Sequence, residues 1–248
     1  MSRDTDELAR LPAGHALLPD TGGVGAISDG ELHFLWHFIQ GSIMEHEVRE
    51  SLLRAWGMCQ RHTFAFLSID AALRRGYLHG PAILYQAIME RAVAALNAYS
   101  PLHRRPITHA LRATGPCYMC ALRYGPESSG YPSRDVVERG RNLDEIRRFT
   151  LETEAGWHSD VCGRCAQDER RARCRRHLLD ELRHGDAAVT EARAQVASIC
   201  ARVTRYARAF RWELRGTDTP LDRAALISAA GWCSGWNSWL RLAAESNR

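Results

Sequence analysis

Residues 187–211 read "AAVTEARAQVASICARVTRYARAFR". Val189, Val196, Ile199, Val203, Tyr206 and Phe210 recur there at steps of three, four and seven, with arginine, glutamate and glutamine between them. That is the period of a helix with one buried stripe, not of a strand. The same period returns in "SDGELHFLWHFIQGSIMEHEVRESLLRAW", residues 28–56, where Ser28 or Asp29 is a candidate N-cap and the apolar positions run from Leu32 through Ile39 to Met44. One long amphipathic helix is expected there, ending before Gly57. Further helices are expected from Cys59 to about Arg75, over 82–99, 135–151, 166–183, 222–230 and 232–244. No segment alternates with period two in Val, Ile and Thr, so the expected fold class is all-α, an irregular multi-helix bundle.

The chain has 248 residues, 45% of them hydrophobic and 25% charged, which is a globular balance and leaves ample length for a core. No run approaches 18 apolar residues, and "MSRDTDELAR" carries acids where a signal peptide needs a basic start. A cytoplasmic protein with no membrane partner is the expectation. The Gly- and Pro-bearing stretch 1–28 reads as a flexible arm and 29–248 as the helical, zinc-binding domain. Pro101, Pro106, Pro116 and Pro126 make 101–130 the candidate hinge between two lobes. All the basic residues are arginine, a usage read as GC-rich coding rather than guanidinium chemistry. The net charge of +4 permits a nucleic-acid partner without suggesting one.

A reducing compartment turns attention from disulfides to metal for the eight cysteines. Four short pairs stand out: Cys59 with His62, Cys117 with Cys120, Cys162 with Cys165, and Cys174 with His177. Two intervening residues let both side chains reach one ion from a knuckle or the first turn of a helix, where backbone N–H groups favour a thiolate. Two pairs close a tetrahedral site, so four pairs predict two Zn2+ ions embedded in the bundle. The first grouping joins Cys117 and Cys120 to Cys162 and Cys165 as a four-cysteine site, leaving Cys59, His62, Cys174 and His177 as a second site of two cysteines and two histidines. The alternative closes a local site from Cys162, Cys165, Cys174 and His177, with Cys59 and His62 turning to His33 and His37.

Bland readings stand beside these. Cys174, Leu178 and Leu182 form an apolar stripe, so Cys174 reads equally as core, and Cys200 beside Ile199 and Val203 reads as core outright. His33 and His37 lie among Phe34, Leu35, Trp36 and Phe38, as interior histidines would. Cys233 is assigned no role. Glu45, His46 and Glu50 lack the second E-x-x-H helix of a carboxylate-bridged metal centre. No nucleophile elbow, phosphate-cradling loop or H-E-x-x-H is present, so no catalytic residue is assigned.

His158, Cys162 and Cys165 fit H-x-x-x-C-x-x-C, which resembles the zinc signature of bacterial zinc-containing anti-sigma factors. More broadly, "EVRESLLRAWGMCQRHTFAFL", "GPCYMC", "HSDVCGRC" and "YARAFRWELRGTDTPLDRAALISAAGW" are similar in order and spacing to a family of uncharacterised bacterial all-helical proteins. That family repeats C-P-x-C followed by G-x-C-x-x-H. The resemblance implies that Gly57, Cys59 and His62 match the first G-x-C-x-x-H, that Cys117 and Cys120 match the second C-x-x-C, and that Cys162 and Cys165 take the second C-x-x-H place. No C-x-x-C precedes Cys59.

Three functions follow as expectations. The first is a zinc-stabilised binding or adaptor module with a protein partner, its surface including Trp232, Trp236 and Trp239 if these are not core. A metalloenzyme or thiol-redox protein with an open site near Cys59 and His62 is the second. The third is a regulator of anti-sigma type or a nucleic-acid binder using Arg170, Arg171, Arg173, Arg175 and Arg176, although the acids flanking that run favour a solvated, salt-bridged helix.

Overall fold

The structure, a computed structural model, describes residues 27–98, 104–185 and 188–246. The arm expected over 1–28 lies, up to residue 26, outside the described residues, as do 99–103 of the candidate hinge. Among the described residues every regular element is helical.

Helix α1 (Asp29–Gln40) starts at a capping box: the Ser28 hydroxyl accepts from the Glu31 N–H at 3.2 Å and the Glu31 carboxylate accepts from the Ser28 N–H at 2.9 Å. The single helix expected across 28–56 is broken. Gly41 leaves the helical region, and a 3-10 turn at Ser42–Met44 re-aims the chain into α2 (His46–Ala55). The apolar spacing gave no warning because Ile43 and Val48 stay buried on either side of the bend. Next come α3 (Gln60–Arg74), α4 (His79–Asn97), α5 (Arg104–Leu111) and the one-turn α6 (Tyr118–Ala121). The helix expected over 135–151 is two, α7 (Arg134–Gly140) and α8 (Asp144–Glu152), with Asn142 accepting from the Asp144 N–H at 2.7 Å at the junction. The short α9 (Glu154–Trp157) and α10 (Gly163–Ala166) precede α11 (Arg175–His184), α12 (Val189–Arg208), α13 (Pro220–Ser234) and α14 (Asn237–Ser246).

The stripe that predicts α12 is what seats it. Val196, Ile199 and Val203 are fully buried, and the helix packs along both α4 and α13. Helix α13 is buried on every side from Ala224 to Cys233, which explains its apolar composition without any stripe. Gly235, at φ +108°, separates α13 from α14, so Trp232, Trp236 and Trp239 do not share one helical face. All three rings are buried, against Trp56, Trp157 and Phe64 respectively at centroid distances of 5.4 to 5.9 Å. They are core, and no partner surface forms from them.

Asp70 on α3 is an uncommon member of this interior. It is 1% exposed, neither carboxylate oxygen has a hydrogen bond among the described residues, and Arg74 Nε stands 3.1 Å from Oδ1. Burial pushes its carboxyl up to about 7, with Arg74 pulling only weakly the other way. The folded state therefore holds a proton that the unfolded chain releases near pH 4, and stability from this site falls as pH rises from there to about 7. Asp70→Asn is expected to stabilise the protein, and its gain over the parent in urea melts should be about 2–3 kcal/mol larger at pH 8 than at pH 5. A pH-independent gain would mean that Asp70 does not titrate in this window.

Candidate metal centres

All four ligand pairs fold in the same way. Cys59, Cys117, Cys162 and Cys174 are the N-cap residues of α3, α6, α10 and α11, and His62, Cys120, Cys165 and His177 follow one turn later. A helix start points free N–H groups and the positive end of its dipole toward the capping side chain, which favours a thiolate there. Each pair is thus a half-site, and the tertiary fold decides which halves meet.

The first cluster brings Cys59 and His62 to Cys117 and Cys120; the second brings Cys162 and Cys165 to Cys174 and His177. In each, the four donor atoms lie within 4.8 Å of one another. Neither the four-cysteine site nor the site of two cysteines and two histidines forms. Both clusters have three thiols and one imidazole. The local alternative for Cys162, Cys165, Cys174 and His177 is the arrangement seen, while the partners of Cys59 and His62 are Cys117 and Cys120, not His33 or His37. His37 is exposed and packs its ring on His33 at 4.9 Å. His158 is exposed and faces Glu154, outside the second cluster. Cys174, for which a core role weighed equally, is both: it lies beside the core leucines Leu178 and Leu182 and within 3.3 Å of His177 Nδ1. Cys200 is half-buried on α12 and Cys233 is buried, both away from the clusters.

The dimensions suit a tetrahedral ion. Metal–sulfur bonds of about 2.3 Å and metal–nitrogen bonds of about 2.0 Å imply S···S edges near ~3.8 Å and S···N edges near ~3.5 Å. Cys59 and Cys120 sulfurs are 3.8 Å apart, and so are those of Cys165 and Cys174. Nδ1 of His62 stands 3.3 to 3.4 Å from its three sulfurs, and Nδ1 of His177 stands 3.1 to 3.5 Å from its own. The donor chemistry agrees with the geometry. Hydrogen bonds from Cys120 and Cys59 hold Cys117 far below the usual thiol range, and the same contacts push Cys59 far above it. Cys162 is lowered in the same way by Cys165 and Cys174. Packed thiols suppress one another's ionisation, and a divalent cation among them is what lets all three ionise.

The clusters differ in their surroundings. In the first, His62 Nε2 is 3.1 Å from a Glu31 oxygen, so a carboxylate orients the ring from behind. Glu31 is wholly buried and is also gripped by Arg61, Nε at 2.6 Å and Nη2 at 2.7 Å. Burial alone would raise its carboxyl, but the bonds from His62, Arg61 and the Ser28 amide, with the Arg61 charge, hold it at about 2. Burial likewise pulls His62 down, yet Cys117, Cys120 and Glu31 carry it up to about 11, where a metal ion would compete with that proton. The second cluster is built within one tight loop. The helix expected over 166–183 is interrupted there, because Gln167 turns left-handed at φ +58° and residues 167–174 fold back over α10. Gly163 makes that fold possible: a Cβ at this position would stand 2.2 Å from the Arg170 carbonyl oxygen. The arginines of the loop are largely engaged, Arg170 with Asp168 at 2.9 Å, Arg173 with Glu181, and Arg164 with Asp180 at 2.6 Å. Of the basic run, Arg170 and Arg173 sit in this loop and are salt-bridged, while Arg175 and Arg176 open α11.

Trp56 links the approaches to the two clusters. It caps α2 in the left-handed conformation at φ +62°, and with Gly57 at φ +89° it turns the chain toward Cys59. The Arg91 and Arg175 guanidiniums lie 4.1 and 5.4 Å from its ring centroid. Its indole N–H donates to the Arg112 carbonyl at 3.2 Å, and Arg175 donates to the neighbouring Leu111 carbonyl at 3.0 Å. Sequence reading missed Glu31, Arg61 and Trp56. The capping-box spacing of Ser28 and Glu31 marks the helix start, but nothing local ties Glu31 to His62.

The class these features define is an all-helical protein with two Cys3His groups that could each hold a metal ion. Comparisons of the chain with protein-family models, with curated proteins and with solved structures find no match.

Proposed function

We propose that the chain is a zinc-stabilised helical binding or adaptor protein in which both ions are structural. The observation that carries this reading is closure: each cluster has four protein donors within one tetrahedron's dimensions. A catalytic zinc keeps a position for water or substrate, whereas structural sites are filled by protein. Three thiolates and an imidazole are soft donors that suit zinc. Cys59 and His62, the expected place for an open site, already have Cys117 and Cys120 beside them, which weighs against the metalloenzyme reading. The exposure of His158 weighs against the anti-sigma reading. The pairing that the family resemblance implies, Cys117 and Cys120 with Cys162 and Cys165, is not the one that forms, so the reading rests on the clusters and not on the resemblance.

Elemental mass spectrometry on untagged protein tests the reading. Two zinc ions per chain are expected; a single ion, or iron or copper in their place, would overturn it.

A further inference from the structure

The C-terminal ends of α3 and α12 meet at a cleft lined by none of the metal-cluster residues. Cys59 and Arg75 are the two caps of α3, so about 24 Å of helix separates the first cluster from this place. The chain leaves α3 through Arg75 at φ +54° and Gly76 at φ +79°, which throws Tyr77 outward. From the other side, α12 runs into Phe210 and then a 3-10 turn at Trp212–Leu214. Tyr77 and Phe210 rings meet edge to face at 4.6 Å. Two adjoining hollows of 260 and 360 Å³ share Tyr77, Ala209 and Phe210 as lining.

Three observations give this cleft a chemistry. First, Trp212 is 81% exposed and Tyr77 47%, large rings that the bundle leaves in water. Second, the charge of the lining is slightly positive. Glu145 and Asp218 are matched by Arg148 and Arg223, which leaves Glu152 against Arg75 and Arg215, neither of which pairs with a carboxylate among the described residues. Third, rings and arginines alternate along the chain, as Tyr206, Arg208, Phe210, Arg211, Trp212 and Arg215. Flat faces for bases beside cations for phosphates are the platform on which single strands bind without sequence preference.

We propose that the Tyr77, Phe210 and Trp212 cleft binds single-stranded nucleic acid, with bases stacking on Trp212 and Tyr77 and phosphates meeting Arg75 and Arg215. This goes beyond the adaptor reading and uses none of the metal ligands, so either can fail alone. The run 170–176 has no part in it.

The probe is a labelled twelve-residue oligothymidylate added to the full, metal-loaded chain, with anisotropy reporting binding and tryptophan emission reporting stacking. Trp212 is the most exposed tryptophan described, so quenching is expected to come chiefly from it. Micromolar binding at 50 mM salt is expected, weakening about sevenfold by 200 mM for the two phosphate contacts. Trp212→Ala should weaken it roughly tenfold and abolish the quenching. Arg75→Gln with Arg215→Gln should flatten the salt dependence; circular dichroism and metal content should be unchanged in all variants. No binding at 50 mM salt would overturn the proposal. So would affinity indifferent to Trp212→Ala, equal binding of a polyglutamate peptide, or a mononucleotide that binds as tightly as the strand.

Discussion

Cys117→Ser is expected to release one of two metal ions and to destabilise the chain more than Cys162→Ser, which should release the other. Both cysteines are buried N-caps of one-turn helices, so the local loss is alike. What differs is the span each cluster closes. The first joins residues as far apart as Cys59 and Cys120, 61 positions, whereas Cys162 and His177 are 15 apart. A cross-link across the longer loop removes more freedom from the unfolded chain, by about 1 kcal/mol on the logarithmic rule. Beyond that difference lies the loss of metal binding itself, on the order of 10 kcal/mol for structural zinc and comparable with a whole domain's stability. Both variants should therefore be strongly destabilised, Cys117→Ser by about 1 kcal/mol more than Cys162→Ser. Metal content and urea melts of the two variants check this; equal melts, or a stabler Cys117→Ser, would show that loop span is not what ranks the sites.

Glu31→Ala should be nearly as damaging although Glu31 is no ligand. It accepts from the Ser28 amide, from Arg61 twice and from His62, with no exposure to water. Removing one partner of a buried ion pair leaves the other uncompensated, at a cost of roughly 3–5 kcal/mol. Losing the carboxylate behind a metal-binding imidazole lowers metal affinity roughly 10- to 100-fold. Competition with a chelator should reveal one weakened ion of two, with the second cluster unchanged. The pH dependence has a definite sign. Because the folded carboxyl is held at about 2, below the ordinary 4.5, its contribution is complete above pH 4.5 and is lost as the pH falls toward 2. The stability difference between parent and Glu31→Ala should be flat above pH 5 and shrink below it.

How much of this the sequence carried differs from one feature to another. The helical class followed from the period of 187–211, and α12 lies within two or three residues of its expected bounds. Breaks inside apolar patterns were invisible. Gly41 and Asn142 bend the chain where buried residues continue on both sides, and periodicity records burial, not continuity. All eight donors were legible as pairs because a helix start needs only local spacing. Their grouping was not, since a half-site such as Cys59 with His62 looks the same whichever half completes it. Chain order suggested that Cys117 and Cys120 meet Cys162 and Cys165. Packing of α2 against α6 instead brings that pair to the start of α3. The tryptophans read as one face only while Trp232 was placed in the same helix as Trp236 and Trp239; it belongs to α13, and Trp236 lies between the two helices.

The approaches to the two clusters converge on the indole of Trp56. Arg175, the residue after Cys174, lies over it, and the turn that carries it leads to Cys59. The backbone at Leu111 and Arg112, which accepts from Arg175 and from Trp56, continues toward Cys117. Order imposed on one cluster therefore restricts the freedom left to the other. In thermodynamic terms, two ions held there would be linked ligands: the second to bind would meet a chain already partly organised by the first.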